Sequence, residues 1–422
     1  MQNAPSPSQS GQAVTELQLV IPDGETLSFS EEATLIKTTV TETVFGFSTC
    51  SHTIQTTSID YVDRLLKKVY SHGNPKIRYR IGFGLPGNYY WQPWQEHFIV
   101  EFKALGRGLG AHAGHLTRIN TADPLWSMGR FTKVAVRKGK ISTVLKQIAD
   151  ENQLESVIES TQGEGIYIQS FQTDSHFISH KLIPRSTNDK GRGDYRLYVK
   201  DGALHFHTPD YQSTLKHLDY YAAAGSDLIQ KNNSQEVFAT GGSGMRLVTH
   251  DPYTGLSKEV VFNPNMTLKL GNTAVNLADI RGTVVNSFYH IGSNRHEETE
   301  AIVNNGYESM KSKAFEVYFK LPNALFLRAS DFLNLTLNTS PEKTSTWSGI
   351  YHVSSVSHAI VNGAIKSSVT LHKGELQEMK TEDKVPGQLL NQRLMNDSER
   401  AVGAGNQGSE KIFTTTRPPD RL

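Results

Sequence analysis

From Val14 onward the chain alternates between apolar and polar residues. Leu17, Leu19 and Ile21 are separated by polar neighbours, and the Thr/Val-rich stretch from Thr34 to Val44 continues the pattern. A period of two places every second side chain on one face, so these runs predict half-buried strands, with more at Lys76 to Phe83 and Glu96 to Ala104. A helical period intervenes once: Ile59, Val62, Leu65, Leu66 and Val69 form a stripe over a helix that Ser58 can cap and that runs to about Tyr70. The segment GLPGNYYWQPW, Gly84 to Trp94, has turn chemistry and predicts an exposed loop carrying Tyr89, Tyr90, Trp91 and Trp94. Rigid aromatics there suit a contact surface; packing onto their own module is the other reading.

The pattern then changes to mixed α and β. VRKGKISTVLKQIADENQL predicts a Gly-containing turn and a helix capped by Ser142, with Ile141, Val144, Leu145, Ile148 and Leu154 on one face. IYIQSFQTDSHFISHKLIPRS predicts a strand and a second helix whose apolar set is Phe171, Phe177, Ile178 and Leu182. YRLYV and ALHFH flank Lys200, Asp201 and Gly202, and an Asp-Gly pair between alternating runs predicts a tight hairpin. Periodicity weakens from Thr208 to Glu236, and GGSG at Gly241 to Gly244 predicts a flexible loop. Short strands return from Met245 to Asn286, a helix-like stretch spans Glu297 to Lys313, and strands follow at Ala314 to Leu321, Leu325 to Leu327, Leu333 to Leu337, Gly349 to Ser357 and Lys366 to Lys373. Beyond Glu375 the chain is polar and extended, with one short helix candidate at Gln388 to Arg393.

The expected class is therefore β-rich α+β: two tube-like antiparallel β-barrel domains with a small α+β domain between them. The expected divisions are a disordered N-terminus at 1–13, a first barrel at 14–128, an intermediate domain at 129–225, a second barrel at 226–375 and an extended tail at 376–422.

Composition narrows the function classes. Across 422 residues, 43 Lys and Arg oppose 42 Asp and Glu, so no global field draws the chain to nucleic acid or to an anionic membrane. One cysteine, Cys50, cannot form an internal disulfide, which fits a reducing compartment. Met1 to Ala13 lacks the layout of a signal peptide, and no apolar run approaches the ~18 residues needed to span a bilayer. A soluble protein made in a cytoplasm is expected.

The one charge asymmetry lies between Lys103 and Lys146, where Lys103, Arg107, Arg118, Arg130, Lys133, Arg137, Lys138, Lys140 and Lys146 face the single acid Asp123. A solvated face is the plainer reading, and contact with an acidic partner or phosphates the alternative.

Catalytic and metal chemistry find little support. His112 and His115, and His205 and His207, are pairs without further converging ligands, and HEETE at His296 to Glu300 lacks the second histidine of a zinc-protease helix. GRGLGAHAGH lacks the Lys-Ser/Thr and strand-to-helix setting of a phosphate cradle. Neither GGSGM nor the context of Cys50 matches a known nucleophile arrangement. No enzyme activity, metal or cofactor is expected.

One resemblance is positive. IYIQSFQTDSHFISHKLIPRS followed by DYRLYVKDGALHFHTP resembles the baseplate hub proteins of contractile-tailed phages, a family that includes late control protein D and the hub part of the type VI secretion spike protein. The family's pattern runs from a Gln-rich strand to an acidic residue, a Phe-centred helix and a hairpin; here the matching positions are Gln169, Gln172, Asp174, Phe177, Ile178, Leu182, Gly202, Leu204 and Phe206. The helix after Val136 to Lys140 is similar to the family's LysM-like element. Near the end, FEVYFKLPNALFLRASDFLNLTL, GIYHVSSVSHAI and SSVTLHKG are similar to the family's closing strands, except that Ala329, Ser330 and Asp331 stand where the family often has Gly-Asp.

The resemblance covers roughly Leu17 to Lys373 and implies a structural hub, located in the virion's tail baseplate and assembled in the host cytoplasm. It implies a homotrimer whose six β-modules adapt a six-fold tail tube protein to a three-fold central spike, so that the tube channel continues to the spike. The spike is expected to be a separate protein, reached by the tail from Glu375, and wedge and tape-measure proteins are the other expected partners. Neither membrane insertion nor sequence-specific nucleic-acid binding is implied. The rival is a carbohydrate- or peptidoglycan-binding module built on the LysM-like element and on Trp91 and Trp94.

Overall fold

The computed structural model describes residues 11–374 with breaks at 22–25, 30–32, 57, 72–74, 108–113, 212–214, 222–227, 234–244, 251–254, 256, 263–266, 271–272, 277–285, 292–301, 303–304, 307, 310 and 341–342. The expected disordered N-terminus up to residue 10, His112, the GGSG loop, and the tail with its short helix lie outside the described residues.

The first part of the chain builds eight strands and one helix: β1 (Gln12–Val20), β2 (Thr26–Ser28), β3 (Ala33–Thr43), β4 (Thr49–Thr56), α1 (Ile59–Ser71), β5 (Lys76–Leu85), β6 (Asn88–Trp91), β7 (Gln95–Arg107) and β8 (His115–Ala122). Alternation works as expected in β5, where Ile77, Tyr79, Ile81 and Phe83 are buried between outward Arg78 and Arg80. In α1 the hydroxyl of Ser58 accepts the Asp60 N–H at 3.1 Å, and Leu65 and Val69 point into the core. The expected loop from Gly84 to Trp94 is instead mostly a hairpin. β6 pairs with β5 across a tight turn that joins Leu85 to Asn88. Gly82 makes this possible, since a Cβ there would stand 2.8 Å from the Trp91 ring.

The middle part contains α2 (Pro124–Ser127), β9 (Thr132–Gly139), α3 (Ile141–Glu151), β10 (Glu155–Ile158), β11 (Gly165–Thr173), α4 (Asp174–Phe177), β12 (Arg196–Lys200) and β13 (Ala203–His207). Its core joins Ile141, Val144, Leu145 and Ile148 of α3 to Phe177, Ile178, Leu182, Leu204 and Phe206. Asp201 and Gly202 both take positive φ, 51° and 80°, as a two-residue hairpin turn requires.

Two local expectations change here. Ser142 is not the cap of α3: Lys140 stands at that position without a side-chain bond, and Thr161 reaches across to accept the Ser142 N–H at 3.0 Å. The expected second helix is a single α-turn that widens into a π-turn at Ile178–Leu182 and tightens into a 3₁₀ turn at Ile183–Arg185, where Pro184 cannot donate to a continuing ladder.

The last part supplies β14 (Leu215–Tyr221), β15 (Ile229–Asn232), β16 (Met245–His250), β17 (Ser257–Phe262), β18 (Thr267–Leu270), β19 (Thr273–Asn276), β20 (Asn286–Ile291), β21 (Phe315–Leu321), β22 (Phe332–Ser340), β23 (Lys343–Thr344), β24 (Gly349–Val361) and β25 (Ala364–Lys373). Of the stretch from Glu297 to Lys313, the described residues 302, 305, 306, 308, 309 and 311 are helical. Leu325 to Leu327 is not a strand. Asn323 accepts the Leu325 N–H at 2.9 Å and starts a turn, from which Leu325 anchors in the first core and Leu327 in the last.

The β-rich α+β class holds, with large antiparallel sheets. The two β-modules keep separate cores and are joined by a strand seam. β3 pairs antiparallel with β24 over Lys37 to Thr43, which joins β1–β8 to β14, β15 and β21–β25 in one 15-stranded sheet, while β16, β17 and β20 form one small sheet and β18 and β19 another. The sheet curls until β1 meets the β24–β25 turn, where the Ala13 N–H donates to the Gly363 carbonyl at 2.8 Å. Ile360 of β24 therefore sits in the first core, whereas Val353 and Val356 sit in the last.

The interior is unusually rich in histidine. His52, His97, His352 and His358 are all less than 10% exposed. Burial holds the imidazoles of His52 and His352 down to about 3 and those of His97 and His358 to about 4, with the charge of His97 adding to the effect on His52. The unfolded chain takes up these protons near pH 6.5 and the folded chain does not. Stability is thus full above that pH and falls as pH drops toward 4, by about 2 kcal/mol per histidine at pH 5. Calorimetric melting should show Tm several degrees lower at pH 5 than at pH 7. An unchanged or higher Tm at pH 5 would mean that these rings are reached by solvent.

Candidate functional site

The residues that carry the family resemblance form one cluster in the middle part. β11 pairs with β9 in register up to Ser170 and resumes at Gln172, so Phe171 is an inserted residue, with φ 50° and 79% exposure. Gln169, fully buried, donates to the Gln172 carbonyl and to Asp174 Oδ1, both at 2.9 Å. Asp174 Oδ2 accepts from Lys133 Nζ at 2.6 Å and from Asn152 Nδ2 at 3.0 Å. Gln172, Asp174 and Gln169 thus clamp the bulge, while Phe177, Leu182 and Phe206 are core and Gly202 is the hairpin turn.

This clamp turns the β9–β11 ribbon inside out. Arg137, only 6% exposed, faces inward and forks onto Glu151 at 2.7 and 2.8 Å, whereas its neighbour Val136 is 71% exposed. The hydrogen bonds from Arg137 hold the Glu151 carboxyl below the usual range. Phe131, Val134, Val136, Ile166, Ile168 and Phe171 all lie exposed. The basic stretch is divided accordingly. Lys133 and Arg137 are neutralised internally, and Lys103, Arg118, Arg130, Lys138, Lys140 and Lys146 face solvent.

The aromatic group at Tyr89, Tyr90, Trp91 and Trp94 is half-buried. Arg80 lies 4.3 Å from the Trp91 ring centre and 4.6 Å from that of Trp94, and Arg78 lies 4.8 Å from Trp94. Tyr89 accepts from Gln12 at 2.6 Å and meets Trp91 edge to face. The guanidinium groups occupy ring faces that a sugar would need.

A feature the sequence did not announce positions these surfaces. Glu42 of β3 accepts from Arg328 Nε at 2.9 and 2.8 Å, Arg328 Nη2 reaches Asp201 in the β12–β13 turn at 3.0 Å, and Gln95 of β7 also donates to Asp201 at 2.8 Å. Lys200 Nζ bonds the Ala329 carbonyl, Ser330 Oγ and Asp331 Oδ1. Three regions of chain meet here, over a small apolar contact of Val44, Tyr198 and Ala329. Burial alone would raise the Glu42 carboxyl, but the charge and hydrogen bonds of Arg328 hold it below the usual range. Ser330 takes φ 80° and is held there by Lys200 and by its own N–H bond to the Val353 carbonyl.

Neither a protein-family model nor a curated protein matches the sequence. Solved structures do match the fold. A tail protein from Neisseria meningitidis MC58 superposes with TM-score 0.53 at 8% identity, over 85% of this chain and 96% of that one. The 43 kDa tail protein of prophage MuSo2 from Shewanella oneidensis superposes with TM-score 0.53 at 7% identity, over 86% of this chain and 99% of that one. The chain has the fold of these two tail proteins along nearly their whole length.

Arg328→Met should destabilise the protein by about 3–5 kcal/mol in urea unfolding, because Glu42 and Asp201 are left without their cation. The double variant Glu42→Gln/Arg328→Met should lose clearly less than the sum of the two single changes. Additive losses would show that the pair is not coupled.

Proposed function

We propose that this chain is a structural baseplate hub of a contractile phage tail or a related injection machine. On this reading it forms a homotrimeric ring that adapts a six-fold tail tube to a three-fold, separately encoded spike and continues the tube channel. The observation that carries the reading is the single sheet running through both β-modules. The β3–β24 pairing fixes the two modules side by side in one chain, which is what three copies need in order to offer six similar positions to a tube. The fold likeness to two tail proteins over nearly their full length supports it. The division into five segments, the partners among tube, wedge and tape-measure proteins, and Tyr89, Tyr90, Trp91 and Trp94 as contact residues belong to the same proposal.

The peptidoglycan-binding reading is weakened by the guanidinium groups stacked on Trp91 and Trp94. A cosedimentation assay on purified peptidoglycan separates the two: the hub reading expects no saturable binding, and binding lost in Trp91→Ala/Trp94→Ala would favour the rival. Light scattering on the purified protein should give three times the 46.9 kDa chain mass. A strictly monomeric protein at high concentration would overturn the ring.

A further inference from the structure

The outward face of the β9–β11 ribbon is built to be covered. Val134 and Val136 on β9 and Ile166 and Ile168 on β11 share one face, with Val136 directly opposite Ile168, and Phe131 and Phe171 stand at its end. Together the six side chains expose on the order of 700 Å², close to the roughly 800 Å² that each partner contributes to a stable interface. Among the described residues both outer edges of the ribbon lack a strand partner, since β9 and β11 pair only with each other. A two-stranded ribbon with one covered face is marginal, and an apolar patch of this size on a free chain invites aggregation.

We infer that this ribbon is a contact between copies of this chain, buried against a neighbouring copy. The inference rests on the ring reading above and names the surface that makes the ring. Three considerations favour a second copy over a different partner. The face is mainly apolar, interrupted by Lys138 opposite Ile166 and Ser170 opposite Val134, and so is closer to the permanent interfaces of obligate oligomers than to the more polar transient ones. A patch that must be covered from the moment of synthesis needs a partner present in equal numbers at that moment, and another copy always is. The chain also holds Phe171 outward at a positive φ with a polar clamp in which buried Gln169 and Asp174 are bonded by the half-buried Lys133 and Asn152. That strain persists only because the surroundings over-determine it, and what it produces is an aromatic anchor at the end of the apolar face.

The test is the molar mass of the full chain with two surface variants. Val136→Glu/Ile168→Glu places carboxylates on side chains that already face water, so the fold should hold, as circular dichroism would verify, while the mass drops to that of one chain. Val136→Thr/Ile168→Thr keeps the strand propensity and should raise the dissociation constant of the assembly at least tenfold on dilution. If the wild type assembles and both variants assemble equally well, the ribbon is not the contact and the ring reading survives. If the wild type itself is monomeric, the ring reading falls and the inference falls with it.

Discussion

The pairing of Glu42 with Arg328 is the constraint on which the remaining architecture depends. Each side chain is only 14% exposed, and the two belong to segments separated by 286 residues. Buried ions are costly to strip of water, and the cost is recovered only where geometry and additional hydrogen bonds are good. Here Arg328 has a second acid in Asp201 and Asp331 accepts its backbone N–H, so the cation is satisfied only when the first sheet, the middle hairpin and the turn before β22 are all in place. A cluster of this kind adds little net stability over an apolar plug. It makes wrong arrangements of the three regions expensive, because any of them leaves a charge buried alone. Phe45 repeats the logic nearby, held between the side chains of Arg196 and Lys313 from the other two regions.

The same principle, applied in the middle part, has the opposite outcome for apolar residues. In β9 the inward positions are Lys133, Ala135 and Arg137 and the outward ones are Val134 and Val136. Hydrophobic burial alone would choose the other face. What opposes it is the pair of carboxylates: the buried Asp174 takes Lys133, and Glu151, itself exposed, receives both Nη atoms of the buried Arg137. The polar network and the apolar face are thus two sides of one choice: fixing the cations inward forces the valines and isoleucines out.

Local physics was legible from the sequence, and long-range pairing was not. The alternation in β5, the stripe of α1 with its Ser58 cap, the face of α3 and the Asp201–Gly202 turn all follow from neighbours within a few residues. The hairpin of β6 was missed because Pro86 and Gly87 read equally well as an open loop, and only the space left by Gly82 for Trp91 decides between them. The run at Leu325 to Leu327 was misread because two leucines that serve different cores look like a strand when their destinations are unknown. The β3–β24 seam and the Glu42–Arg328 pair leave no local signal at all. Of the residues marked by family resemblance, Gln169 and Asp174 could be placed in the chain but not explained, since their purpose is visible only once Phe171 is seen to be an inserted, outward residue.

Several features of the free chain are those of an unfinished object. Among the described residues the 15-stranded sheet ends at β15, a strand whose four residues, including Ile229, are all exposed. The ribbon likewise turns its apolar face away from its own core. A monomer selected to remain alone would carry charges, bulges or short covers at these places. Here the strain at Phe171 and the polar clamp of Gln169 and Asp174 hold one face uncovered at the expense of local packing, which is the arrangement that the proposed contact between copies would use.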